Sequence, residues 1–102
     1  MVKREIIAIV KKYYAFLLEQ KYKISSAYLF GSYAKGTEHL ESDIDIAFIF
    51  NELTDEIDMQ VELMKLRRRF DLRIEPHLFA QNDLKDSNPF LEEILNTGIS
   101  ID

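Results

Sequence analysis

The sequence predicts an α/β fold of the α+β kind, a small mixed β-sheet with helices packed on one face, formed as one domain over residues 1–102. Two observations carry this. Segments whose apolar residues recur every three or four positions alternate with segments of period two, in the order helix, strand, short helix, strand, helix, strand, helix. In the period-two segments 43–50 and 71–79, charged side chains fall on one face and Ile, Leu and Phe on the other. One face of the sheet should therefore take the helices and leave the carboxylate face open.

The first helix runs from Val2 to about Gln20, with Ile6, Val10, Tyr13 and Leu17 on one stripe and Lys3, Lys11, Lys12 and Glu19 off it. Ile7, Tyr14 and Leu18 widen the apolar arc beyond the roughly 100° that one sheet face needs, which implies either deep packing or a flank offered to another chain. Lys21 to Ser26 forms a polar connection into a strand over about Ala27 to Phe30, and the turn at Gly31 opens a short helix or loop from Ser32 to Glu38. His39 follows as a solvated loop residue. After a second strand, Asp43 to Phe50, either Asn51 or Thr54 caps a helix running to about Arg69. Its stripe Met59, Leu63, Leu66 and Phe70 is joined by a second, Ile57, Val61 and Met64, so this helix too carries surplus apolar surface for a partner or a homo-oligomer. The run Arg67-Arg68-Arg69 complements the helix dipole in its last turn.

In the third strand, about Asp71 to Phe79, Asp71, Arg73, Glu75 and His77 share one face, and Leu72, Ile74 and Leu78 share the core face. Pro76 cannot donate to a ladder, which puts this strand at an edge. Asn88 as N-cap, Pro89 at the first helical position and Gly98 past the end bracket a last helix, and Ile99 and Ile101 finish the chain in a short strand. The sequence has no cysteine, which excludes disulfides and thiolate zinc sites, and it has no apolar run of membrane length and no signal peptide. By elimination the protein is expected in the cytoplasm. A net charge of −5 disfavours a broad basic groove for long nucleic acid and suits a small nucleotide or a protein partner.

Two stretches carry the chemistry. In Gly31-Ser32-Tyr33-Ala34-Lys35-Gly36, glycines and a serine stand at a strand-to-helix turn, where backbone amides and a hydroxyl can approach phosphate oxygens closely. In Ser42-Asp43-Ile44-Asp45-Ile46, Asp43 and Asp45 project from one strand face with Cβ atoms about 6–7 Å apart. Two such carboxylates repel unless a cation compensates them, and hard oxygen donors favour Mg²⁺ or Mn²⁺. By itself the pair also suits an exposed strand face with two solvated aspartates.

Together, G-S-x-A-K-G and S-D-x-D-[ILV] resemble the signature of the DNA polymerase β-like nucleotidyltransferases, in particular their minimal, single-domain (MNT) antitoxin branch. The resemblance covers about residues 27–78. It implies the polymerase β-like nucleotidyltransferase core, with two Mg²⁺ ions held by three carboxylates: Asp43, Asp45 and a third from the neighbouring strand, Glu75, with Asp71 as the runner-up. It implies that Gly31 and Ser32 hold the triphosphate of ATP, with Lys35 adding a point charge. The activity it implies is transfer of AMP to a hydroxyl, in this branch a tyrosine of a helical HEPN-type toxin partner. Two other readings stay open: a non-catalytic nucleotide-binding antitoxin that occludes its partner, and an enzyme modifying a small hydroxylated molecule.

Overall fold

The computed structural model describes residues 4–84 and 88–102. Val2 and Lys3, the expected start of the first helix, lie outside these residues. Helix α1 (Arg4–Glu19) buries the expected stripe of Ile6, Val10, Tyr13 and Leu17. Tyr14 is buried beside them, and Ile7 packs partly buried against the same cluster, so of the second rib only Leu18 stays exposed. Deep packing therefore accounts for most of the surplus arc on α1. The helix closes through Lys21, whose φ of 70° turns the chain back, and Tyr22 N–H donates to Leu17 O at 3.2 Å.

Strand β1 (Ile24–Phe30) begins earlier than its apolar run suggests, because Ser25 lies at an irregularity in the pairing and its hydroxyl donates to Ile49 O at 3.0 Å. The short α2 (Ser32–Lys35) follows, then β2 (Ile44–Phe50), α3 (Glu56–Leu66) with a 3₁₀ continuation over Arg67–Arg69, β3 (Ile74–Ala80), a 3₁₀ turn over Gln81–Leu84, α4 (Pro89–Thr97) and β4 (Ile99–Ser100). The sheet has the order β3-β2-β1-β4, with β2 antiparallel to β1 and parallel to β3, and β1 antiparallel to β4. This is the mixed sheet expected, with Pro76 on the edge strand.

Along β2 the side chains of Ile44, Ile46, Phe48 and Phe50 enter the main core, which α1 and α3 close with Val10, Tyr13, Leu17 and Leu63. Tyr13 resolves its buried hydroxyl by donating to Leu63 O at 2.7 Å, which ties the two helices together. The opposite face is less open than the alternation predicts. Ala47 and Ile49 of β2 point there with Phe79, and α4 covers them with Leu91 and Ile94 in a second small core. A carboxylate in the row of Asp45 thus sits beside an apolar patch long enough to hold one short helix. Asn88 caps α4 as expected, accepting from Phe90 N–H at 3.1 Å and Leu91 N–H at 3.2 Å, with Pro89 in its first turn.

Three local expectations are corrected. The N-cap of α3 is Asp55, in a left-handed conformation at φ 51°, and neither Asn51 nor Thr54, because the chain turns sharply there instead of entering extended. Leu72 is 66% exposed and lies in the turn before β3, so it is not part of the core. Arg67, read as a dipole complement, is turned to a specific acceptor: its Nη1 donates to Ile74 O at 2.9 Å and anchors the end of α3 to β3. Among the described residues no helix is long and apolar enough to cross a membrane.

Candidate active site

Strand β1 ends at Phe30, directly opposite Asp45 of β2, which in turn stands opposite Glu75 of β3. Opposed residues share a face, so Phe30, Asp45 and Glu75 form one row across three strands. Gly31 then leaves the sheet with φ 77° and ψ −155°, a region open essentially to glycine alone. A Cβ at this position would collide with Asp45 Oδ2 and lie 3.2 Å from its Cγ. The missing side chain is what lets the turn close over the Asp45 carboxylate. Beyond it, α2 starts at Ser32, whose amide and that of Tyr33 have no carbonyl within the helix to bond.

Asp45 is half-buried and its Oδ1 lies 3.0 Å from His77 Nε2. His77 occupies the next row of β3 on the same face, so it reaches Asp45 diagonally across the strand pair, with its ring edge-on to Phe30 at 4.9 Å. Its position two residues after Glu75 was visible in the sequence, but a lone histidine gave no sign of its partner. Glu75 is also half-buried, with Oε2 3.9 Å from Arg67 Nη1.

The remaining expected residues divide clearly. Asp43 is exposed and stands one residue before β2 rather than within it, so the strand presents one aspartate and its mouth presents the other. Gly31 meets Asp45 at the turn, Ser32 follows as the first residue of α2, and Lys35 is exposed on the same turn, where it lines a cavity of ≈ 200 Å³ together with Gly31. Asp71 lies off β3, in the preceding loop, and is engaged elsewhere. Arg73 clamps it with Nε at 3.0 Å and Nη2 at 2.7 Å, and the Arg73 N–H adds a third bond at 2.9 Å. The hydrogen bonds from Arg73 hold the Asp71 carboxyl below its usual range against the opposing effect of burial. The other arm of Arg73 donates to the hydroxyl of buried Tyr33 at 2.9 Å, linking this clamp to α2. Asp71 is thus a structural anion under the turn, while Glu75 is the carboxylate in register with Asp45.

The donor set of Asp43, Asp45 and Glu75 has the chemistry of a hard-cation site, and the Gly31 cradle leaves Asp45 Oδ2 free of any side chain from the turn. Among the described residues, no three acidic or histidine side chains are gathered closely enough to enclose an ion. In this arrangement Asp45 is turned to His77 and Glu75 toward Arg67.

A sequence profile for the family described as Polymerase beta, Nucleotidyltransferase matches residues 11–101. A protein of Methanocaldococcus jannaschii that bears the provisional name protein adenylyltransferase is 30% identical over 102 residues, covering 95% of this chain and 99% of its own length. The protein adenylyltransferase MntA of Shewanella oneidensis is 43% identical over 49 residues, which span 48% of this chain and 35% of that protein. Among solved structures, a chain of a toxin-antitoxin crystal structure with AMP-PNP superposes with a TM-score of 0.63 at 31% identity, over 89% of this chain and 71% of that one. A chain from the complex of a tri-AMPylated Shewanella oneidensis HEPN toxin with an MNT antitoxin does so with a TM-score of 0.58 at 26% identity, over 93% and 71%.

Proposed function

The chain belongs to the polymerase beta nucleotidyltransferase family, and from that premise we propose that it is the antitoxin of a toxin-antitoxin pair, transferring AMP from ATP to a tyrosine of a HEPN-type partner in the cytoplasm. The observation that carries the reading is the closure of Gly31 over Asp45, in register with Glu75, because it brings a phosphate-binding turn onto a carboxylate pair. The named activities of the relatives supply the donor and the acceptor class.

In this reading the amides and hydroxyl at Gly31 and Ser32 orient the β- and γ-phosphates, and Lys35 adds positive charge at the rim. Asp43, Asp45 and Glu75 would hold magnesium. When bound, Mg²⁺ supplies charge compensation at the α-phosphate and toward departing pyrophosphate, and it lowers the pKa of the acceptor hydroxyl. The bond formed joins the tyrosine oxygen to the α-phosphorus, and the bond broken is that to the β-phosphate oxygen. Glu75 takes the hydroxyl proton, and the His77 imidazole holds Oδ1 of Asp45 so that its other oxygen, Oδ2, faces the turn.

The partner surface follows from what the helices leave uncovered. Ile57 on α3 is 81% exposed and Val61 46%, and together with Leu78 they line an open cavity of ≈ 310 Å³. We assign this flank of α3 to the helical partner, since Ile57 and Val61, four residues apart on one helix face, join Leu78 in a contiguous apolar patch. The test of the whole reading is direct. Incubated with ATP, Mg²⁺ and a HEPN-type partner protein, the wild type should add AMP to a partner tyrosine, as read by intact mass and peptide sequencing, and Asp45→Asn should not. Labelling that persists in Asp45→Asn, or a partner left unmodified by the wild type, would refute it.

A further inference from the structure

The turn at Gly31 opens on its outer side into the cavity of ≈ 200 Å³ already met at Lys35. Its walls come from two elements: Phe30, Gly31 and Lys35 at the end of β1 and in α2, and Phe90, Glu93 and Thr97 along one side of α4. Phe30 and Phe90 meet at 5.8 Å in an edge-to-face arrangement, and Phe79 supports Phe90 from behind at 5.9 Å. Phe90 is nevertheless 49% exposed, so a ring steadied by Phe30, Phe79 and, at 6.4 Å, His77 still offers aromatic surface to solvent. The same ring group runs back through Phe30 to His77 and so to Asp45. A cavity of this size falls below the usual range for a whole drug-sized ligand and suits one flat heterocycle.

We propose that this cavity is the seat of the donor's nucleobase, stacked on Phe90 between α2 and α4 while its phosphates lie at the Gly31 turn. The inference rests on the nucleotidyl-transfer reading above and adds to it the part of the substrate that the carboxylates do not touch. Rings support stacking with any base, so Phe90 supplies affinity. Glu93 supplies preference. A carboxylate only accepts hydrogen bonds, and it therefore favours a base edge that offers an amino group over one led by carbonyl oxygens. The Thr97 hydroxyl donates its only proton to Glu93 O at 2.8 Å, so on that wall it too offers only lone pairs, beside the Glu93 carboxylate.

The test compares ATP with inorganic tripolyphosphate, which carries the phosphates and no base, each titrated calorimetrically in Mg²⁺. Phe90→Ala should weaken ATP binding roughly five- to hundred-fold, the range for loss of one stacking aromatic, and leave tripolyphosphate binding unchanged. Phe90→Trp should restore ATP binding. As a second variant that leaves the aromatic cluster intact, Thr97→Leu narrows the mouth of the cavity and should likewise act on ATP alone. Equal loss for both ligands, or no loss for ATP in either variant, overturns the assignment. So does a change confined to the KM of the tyrosine acceptor, which would make the cavity the acceptor's seat. A wild type that binds neither ATP nor tripolyphosphate would overturn the nucleotidyl-transfer reading along with it, whereas a wild type that binds ATP as tightly as Phe90→Ala overturns the base pocket alone.

Discussion

Substituting Gly31 by alanine separates the two demands that meet at this residue. The backbone demand is the pair φ 77°, ψ −155°, and holding a side-chain-bearing residue there costs about 1–3 kcal/mol. For a domain of this size each kcal/mol lowers the melting temperature by about 4–8 °C, so the backbone part alone predicts a fall of roughly 4–24 °C. The steric demand is separate. The new methyl group would overlap Asp45 Oδ2, so the carboxylate must swing away and give up its 3.0 Å bond to His77. Transfer activity should therefore fall far more than the melting temperature suggests, and should be lost at temperatures where circular dichroism shows the variant folded. Asp45→Ala removes the atom that the methyl meets, and in that background Gly31→Ala should cost only the backbone part. The non-additivity between the two substitutions measures the clash. Gly36→Ala is the control: it sits at φ 74° in an exposed turn, pays a similar backbone cost, and should leave much more activity. A Gly31→Ala protein that keeps wild-type transfer and melts within about 2 °C of wild type would refute the reasoning.

Two further outcomes follow from the same geometry. Glu75→Gln should abolish AMP transfer and leave the fold intact, whereas Asp71→Asn should retain transfer and lose stability, because the Arg73 clamp goes with the charge. Asp71 has its folded-state pKa below the ordinary 3.8, so its contribution is present above that value and disappears as the pH falls through the lower folded one; thermal melts of wild type and Asp71→Asn should converge on acidification. The reverse pattern of activities would return the third carboxylate to Asp71. On α3, Leu63→Ala should cost about 2–5 kcal/mol in denaturant melts, since Leu63 is fully buried, while Ile57→Asp should leave stability within about 0.5 kcal/mol and weaken assembly with the partner in size-exclusion chromatography. A large stability loss in Ile57→Asp with unchanged assembly would remove this flank from the interface.

What the sequence made legible was whatever a period or a cap dictates locally. The stripe Ile6, Val10, Tyr13, Leu17 is buried, Asn88 and Pro89 open α4, and Pro76 lies on an edge strand. The turn at Gly31 and its proximity to Asp45 were likewise readable, because a Gly-Ser at a strand end followed by D-x-D in the next strand is a recognisable spacing. Three features were not. Asp71 and Glu75 are four residues apart and alternate identically, and only the position of the strand start, after the Arg73 clamp, tells them apart. His77 acquires meaning from a diagonal contact with a strand 32 residues away. The second core under α4 depends on Ala47 and Ile49, which a reading by alternation placed on a face meant for charge.

The mixed pairing of β2 has a consequence for how the chain reaches its working form. Asp45 alternates along one strand with Ile44 and Ile46, both fully buried, while β1 and β3 grip that strand from either side. Sliding β2 by a single residue would drive a carboxylate into the main core and expel an isoleucine into water. The irregularity at Ser25 takes up the one-residue mismatch between β1 and β2 at the far end of the pair, so it does not propagate toward Asp45. A chain that has settled its strands wrongly is thus a chain with an uncompensated buried charge, which disfavours any folded state in the wrong register. The aspartate proposed to carry the chemistry also proofreads the fold.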